Sequence, residues 1–390
     1  MSELQLIFLI LACIYAWECS CWVRRGSVAF RTWLGRRWRA AHPAGLLGNS
    51  QAGVVIGHPL PPLGWLVVGT QFPLSLSPEA VLAFVAPSVN PGWRPTQSGK
   101  CFRWSDIKRV KAEGRKVLIS GELLLKAPST ILAGVLATKL SELSKLPQGK
   151  RAEALQEMIG ASLDTKSVER TWKECHQQLG GIRLLQNILL GYLFVLAPIV
   201  IWYFGLQKTW LPLVIGLLSL TGSTAWLFRS AHIHFFPAAG EERFTHFLTI
   251  LLSPATTLRA HDVLSRHLLE SFHPLALAKV FCSPSDFQDF AQNILRELRH
   301  PGLPLCPREE PLAQAAERYH RAALLKAAEN FLKKSGLNPG ELLTAPEPAD
   351  VSCRSFCPRC LSQFTTSEGT CPDCGGIELV GFSKSPMSQS

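Results

Sequence analysis

Two pairs of cysteines near the C-terminus stand at a spacing that can do chemistry: Cys357-Pro358-Arg359-Cys360, ten residues, then Cys371-Pro372-Asp373-Cys374. Four thiolates are the soft ligands a tetrahedral zinc takes, and a gap of two residues lets both sulfurs of a pair reach one ion. Four such ligands close the coordination sphere, so the ion would hold a fold together and activate no water. Cys353, three residues short of the first pair, is a spare or alternative ligand. The second candidate set is histidine: six of eleven lie between 232 and 273, at His232, His234, His246, His261, His267 and His273. A metal-dependent hydrolase would need two or three of them to converge, with a carboxylate such as Asp262 or Glu242. At about 100° per residue, a helix after Pro254 puts His261 on the stripe of Leu258, Leu264, Leu268 and Phe272. His267 falls about 120° away, so the two cannot share an ion from one helix. No His-Glu-x-x-His pattern is present, and packing is the reading the spacing favours. Cys175-His176, adjacent in sequence, is no evidence for a nucleophile pair.

Gly375 and Gly376 permit the tight backbone a cysteine knuckle needs, and Ile377-Glu378-Leu379-Val380 reads as a closing strand. The segment 353–382 resembles the bacterial zinc-ribbon family, with rubredoxin-like knuckles. That resemblance implies Zn2+ on Cys357, Cys360, Cys371 and Cys374; iron in a redox site fits the same ligands. Ribbons bind nucleic acids or proteins, and the few basic residues here favour a protein.

The rest of the chain must carry this module somewhere. Of 390 residues only 18% are charged, 47% are hydrophobic, and the net charge is +11. That balance excludes a disordered chain and is too apolar for an ordinary cytosolic enzyme. Three stretches approach the 20 or so apolar residues a bilayer requires: 4–23, 184–204 and 210–228. The first is followed by Arg24, Arg25, Arg31, Arg36, Arg37 and Arg39, with no acid between Glu18 and Glu79. By the positive-inside rule that flank stays cytoplasmic, which makes 4–23 an uncleaved anchor with its N-terminus outside. Ile10-Leu11-Ala12-Cys13 loosely resembles a lipoprotein cleavage box but lacks the basic leader. The second and third spans are joined by Gly205-Leu206-Gln207-Lys208-Thr209, with Arg183 before and Arg229 after, so both ends face the cytoplasm. Trp202, Tyr203 and Trp210 then belong to the outer interface and Trp226 to the inner one. Ser219 and Ser223 form a small-xxx-small pair, compatible with close helix approach and with a homo-oligomer. No span carries an ionisable group at its centre, which argues against a transporter or channel.

The expected architecture is a multi-domain membrane protein: three transmembrane helices, a small α+β cytoplasmic module, a helical cytoplasmic region and the ribbon. Residues 24–64 form a basic juxtamembrane region with little periodicity, whose arginines suit anionic headgroups better than nucleic acid. Cys19 and Cys21, at the inner interface, read as incidental. Between 65 and 147, short apolar runs (Trp65–Val68, Val81–Val85, Lys116–Ile119) alternate with turn residues, and a helical pattern follows over 129–146. With Trp104-x-Asp106-Ile107-x-x-Val110 and Glu113-Gly114-x-x-Val117, this segment is similar to bacterial pleckstrin-homology-like domains, which would imply a binding module without catalytic residues. Helices are expected over 148–180 and through 229–335, with N-caps at Ser253-Pro254 and Ser283-Pro284. The last, near Glu309 to Lys334, ends at Lys333-Lys334-Ser335-Gly336. Residues 336–352 read as a linker. Walker, dinucleotide, nucleophile-elbow and kinase signatures are all missing.

The sequence therefore predicts a scaffold or adaptor in a bacterial plasma membrane, its bulk in the cytoplasm, whose ribbon recruits a cytoplasmic protein. The rivals are a metal-dependent enzyme using His232, His234, His246 or His261, and a membrane-tethered nucleic-acid binder using Arg36, Arg37 and Arg39.

Overall fold

A computed structural model of the chain describes residues 74–83, 101–127, 130–237, 240–269, 271–281, 284–300, 311–374 and 376–382. It also gives the backbone of four further strand segments and of scattered helical positions between 3 and 13. The expected first span and all six of the basic arginines lie wholly or almost wholly outside these residues.

Three strands, β1 (Ser27–Phe30), β2 (Gly53–Gly57) and β3 (Trp65–Val68), form a sheet in which β1 and β2 are parallel and β2 and β3 antiparallel. The Gly-, Pro- and Arg-rich stretch expected to be aperiodic thus contains paired strands. Its apolar runs are only four or five residues long, too short for periodicity alone to separate from loop.

The next module has two antiparallel sheets. One is β4 (Leu74–Leu76), β5 (Ala80–Ala83) and β7 (Cys101–Arg103); the other runs β6 (Arg94–Pro95), β10 (Glu122–Lys126), β9 (Lys116–Ile119), β8 (Val110–Glu113). A register shift between Leu123 and Leu125 lets Leu124 and Leu125, consecutive in β10, both be fully buried. Helix α1 (Thr130–Lys145) lays Leu132, Leu136, Leu140 and Leu143 on Val117, Ile119, Leu124 and Leu125. The C-terminal end of α1 is then fixed by Arg151 of α2 (Gln148–Ser162), whose guanidinium donates to the carbonyls of Leu143, Leu146 and Pro78.

Asp164 caps the next helix through its side chain and the Lys166 N–H. That helix, α3 (Thr165–Phe204), merges the expected 148–180 tail with the expected 184–204 span in 40 residues, about 60 Å at 1.5 Å per residue. Residues Tyr192–Leu196 widen to a π-turn just before Pro198, where the missing N–H and the ring would otherwise clash with the preceding turn. A single residue, Gly205 at φ +76°, reverses the chain into α4 (Leu206–Phe235), so the five-residue connection expected from the sequence is shorter by four. Side-chain-bearing residues strain at that φ, and glycine does not. Both helices are long and apolar enough to cross a membrane. Ser219 and Ser223 sit on the exposed face; the close approach is made by Gly216, where an added Cβ would lie 2.8 Å from the Tyr192 hydroxyl.

Five helices follow: α5 (Gly240–Leu252), α6 (Pro254–Thr257), α7 (Ala260–Leu269), α8 (Pro274–Phe281) and α9 (Pro284–Arg299). Ser253 caps α6 through the Thr256 N–H, with Pro254 at the first position. A break at Leu258–Arg259 divides the helix expected after Pro254. Helix α10 (Pro311–Lys334) joins two cores. Ala313 and Ala316 pack on Ala80 and Leu82 of the β-module, whereas Ala328 and Leu332 pack with Phe287 and Leu295 of α9. It ends as its sequence indicates, with Gly336 at φ +84° and the Leu337 N–H on the Leu332 carbonyl at 3.0 Å. The stretch expected as a free linker is partly packed: Leu342 is 4% exposed within the core of α8–α10.

Candidate metal centre and the histidine pairs

Each cysteine pair sits on a turn between short strands. β11 (Ser355–Phe356) leads into Cys357 and returns as β12 (Gln363–Phe364); β13 (Thr370–Cys371) leads into the second pair and returns as β14 (Ile377–Glu378). β15 (Val380–Gly381) closes on β11, and the Phe356 and Phe382 rings meet with centroids 5.2 Å apart. The expected single closing strand is divided at Leu379, whose N–H goes to the Gly369 carbonyl. In the first turn the Leu361 N–H donates to the Cys357 carbonyl at 2.9 Å, and the Cys357 N–H to the Ser362 carbonyl at 2.9 Å. In the second, the Gly376 N–H donates to the Cys371 carbonyl at 3.1 Å. Both turns need a positive φ after the pair. Gly376 supplies it at +87°, and in the first turn a leucine, Leu361, supplies it at +62°.

The four sulfurs all lie within 4.8 Å of one another, and the Cys360 and Cys371 sulfurs are 3.7 Å apart. Ligands at about 2.3 Å from a tetrahedral centre stand about 3.8 Å apart, so a metal ion can sit among them. Burial pushes the Cys357 thiol up to about 11 against the N–H groups of Cys360 and Arg359 that bond its sulfur. Burial also raises Cys374, and the neighbouring thiols add to it. Burial acts upward on Cys360 as well, but the Ser362 hydroxyl and N–H together with the Cys374 and Cys357 thiols outweigh it, and the net shift is downward. A bound dication would favour the thiolates and invert the upward shifts of Cys357 and Cys374. Cys353 is not in the cluster; its thiol bonds the Asp350 carboxylate.

The histidines converge in pairs the sequence did not reveal. His232 of α4 and His246 of α5 have ring centroids 6.1 Å apart, between Phe228 and Phe236. His261 of α7 pairs with His176 of α3 at 5.9 Å, beside Trp172. His234 points outward, 3.9 Å from Glu174. Cys175, Ser265 and His261 form a buried chain, with Sγ to Oγ 3.1 Å and Oγ to Nδ1 3.2 Å. The helix break separates Leu258 from Leu264, which pack in different clusters rather than on one stripe. Among the described residues, the four cysteines alone form a group of three or more donors that can hold a metal ion.

No protein-family model, curated protein or solved structure matches this chain. The zinc-ribbon resemblance therefore rests on the cysteine geometry, and the pleckstrin-homology-like resemblance has no support.

One feature had no sequence signal. A cavity of about 670 Å3 opens between α2, α8 and α10, with Ile159, Leu163 and Phe331 in its wall and Lys279, Lys326 and Lys334 around it. Lys279 is already engaged, donating to the Ser335 carbonyl at 3.3 Å and lying over the Phe287 ring. Its lining brings α2 together with α8 and α10, which lie more than a hundred positions later in the chain.

Proposed function

We propose that this chain is an integral protein of a bacterial plasma membrane, with its bulk in the cytoplasm. It acts as a non-catalytic scaffold whose zinc ribbon recruits a cytoplasmic protein. The observation that carries the membrane half of this reading is the exposed apolar surface of α3 and α4. Trp202, Tyr203 and Phe204 are 71, 76 and 64% exposed beside the Gly205 reversal, and Trp226 is 66% exposed near the opposite end. Amphipathic aromatic rings at both ends of a paired apolar hairpin suit the two interfaces of a bilayer. In water, a contiguous apolar surface of this kind would drive association. Zinc is the ion proposed because four thiolates in a closed tetrahedron are its usual structural site. A site with no open position has no place for substrate, which supports docking rather than catalysis. The basic segment 24–39 would contact anionic headgroups.

The test is metal content per chain on detergent-purified protein, beside a Cys357→Ser/Cys374→Ser variant. One zinc, lost in the variant, is expected. A second metal surviving in the variant would move a metal-dependent enzyme on the His232 and His246 pair to first place. For the adaptor half, cross-linked partners are compared with and without residues 353–382. Unchanged partners would sink recruitment through the ribbon.

A further inference from the structure

The apolar surface does not end with α3 and α4. Helix α5 folds back along α4 in the opposite direction. His246 meets Phe228 at 5.9 Å between ring centroids, and Leu251 lies 4.0 Å from the place of a Cβ on Gly222. As α5 advances, it therefore climbs beside the part of α4 expected to span the membrane. Leu258, just past α6, packs with Leu189 and Leu193 of α3, against Leu217 and Leu220 of α4. The chain then turns, and α7 descends again, with Ala260 and Leu264 against Cys175, Leu179 and Ile182. Leu189 and Leu193 are five and nine residues past Leu184, so the turn stands about 8–13 Å beyond the start of the apolar stretch.

The ascending stretch of this excursion suits an apolar medium. From Phe244 to Leu258 no Asp, Glu, Lys or Arg occurs, and the stretch is bracketed by Arg243 and Arg259. Fifteen residues are too few to cross a bilayer and make only the ascending arm. Arg259, at the turn, is 0% exposed and so enclosed by protein, and the descending α7 carries Asp262 and Arg266. The polar groups of the ascending arm bond within the protein. Ser253 accepts from the Thr256 N–H, the Thr257 hydroxyl donates to the Ile250 carbonyl at 2.6 Å, and Gln186 of α3 donates to the Thr257 carbonyl at 3.0 Å. Irregular backbone at membrane depth survives only when it is buried in protein in this way. The outward face of α5 is the opposite: Phe244, Leu248 and Leu252, four residues apart, are 63, 36 and 77% exposed.

We infer that residues 240–269 form a re-entrant hairpin whose Phe244, Leu248 and Leu252 face the acyl chains of the leaflet on the Arg183 and Arg229 side. This inference rests on the membrane reading above. It places within the bilayer a segment that the sequence assigns to the cytoplasm.

The experiment uses full-length Phe244→Cys, Leu248→Cys and Leu252→Cys chains in native membranes, with Lys150→Cys as the aqueous control. Membranes are opened by freeze–thaw so that a bilayer-impermeant maleimide reaches both faces, and labelling of the parent chain is subtracted. The expected result is that Leu248→Cys and Leu252→Cys react at least ten-fold more slowly than Lys150→Cys, with Leu252→Cys slowest. In the protein alone Leu252 is more exposed than Phe244, so side-chain exposure without lipid predicts the reverse order. Labelling of both leucine positions within three-fold of the control, in chains that stay in the pellet after an alkaline carbonate wash, overturns the hairpin and leaves the anchor standing. Release of the chain by that wash overturns both.

Discussion

Gln186 of α3 donates from Nε2 to the main-chain carbonyl of Thr257 at 3.0 Å, joining residues seventy-one positions apart where two apolar helices meet the turn between α6 and α7. The amide is 3% exposed, so in the sequence it stands as an unexplained polar residue in an apolar run, and in the fold it is the tie that holds the turn in place.

Gln186→Leu should therefore loosen that turn. Polar bonds between helices in a membrane are each worth about 0.5–2 kcal/mol, so a loss in that range is expected. Protease nicking or hydrogen exchange confined to residues 250–260 would report it, and unchanged protection there would count against the tie.

Arg151 should prove one of the more sensitive positions of the β-module. It is 7% exposed, donates to the carbonyls of Leu143 in α1, Leu146 just past it and Pro78 between β4 and β5, and lies over the Trp104 ring at 5.0 Å. Its replacement strands the C-terminal carbonyls of α1. Each bond to a charged donor is worth about 1.5–3 kcal/mol, and Arg151→Ala is expected to lose about 3 kcal/mol or more. Arg151→Lys should rescue little, because an ammonium cannot reproduce the planar fork. Denaturant midpoints of the three chains measure this.

His273 predicts a pH dependence. Its Nδ1 accepts the Leu275 N–H at 3.2 Å, capping α8, and burial lowers the ring's pKa from 6.5 to about 4. The folded state thus favours the neutral ring, and the unfolded chain binds the extra proton first. The contribution is complete above about pH 6.5 and is lost as pH falls toward 4, by about 3 kcal/mol at most. His320, lowered to about 4 by burial and by Arg321, acts in the same direction. His273→Asn keeps a cap but does not titrate, and it should flatten the stability curve between pH 6.5 and 4. A slope as steep as the parent's would refute the assignment.

Leu361 holds φ +62° in the first knuckle, a conformation costing a side-chain-bearing residue about 1–2 kcal/mol. Leu361→Gly should recover part of this and leave the sulfurs in place. The expected readout is unchanged metal stoichiometry with slower metal loss to a chelator. Faster loss would mean that the leucine side chain, not the backbone, sustains the knuckle.

Much of this protein is legible in its residues because the signals are local. The cysteine spacing identifies four groups that do converge within 4.8 Å. Apolar runs longer than 18 residues mark α3 and α4. Ser253-Pro254 and Gly336 mark a helix start and a helix end where the structure has them. Each rests on neighbours in sequence, where backbone geometry alone sets the outcome. Other features belong to the tertiary structure, because they join elements whose contacts no periodicity encodes. Helix α10 could pair one half with the β-module and the other with α9 only once both surfaces existed. His176 meets His261, and His232 meets His246, because α5 and α7 fold back on α4 and α3. The run from Phe244 to Leu258 is too short for its length alone to set it apart from a soluble helix. Its placement beside Gly222 and Leu189 is decided by packing, since apolar area gains most where another apolar surface is already waiting.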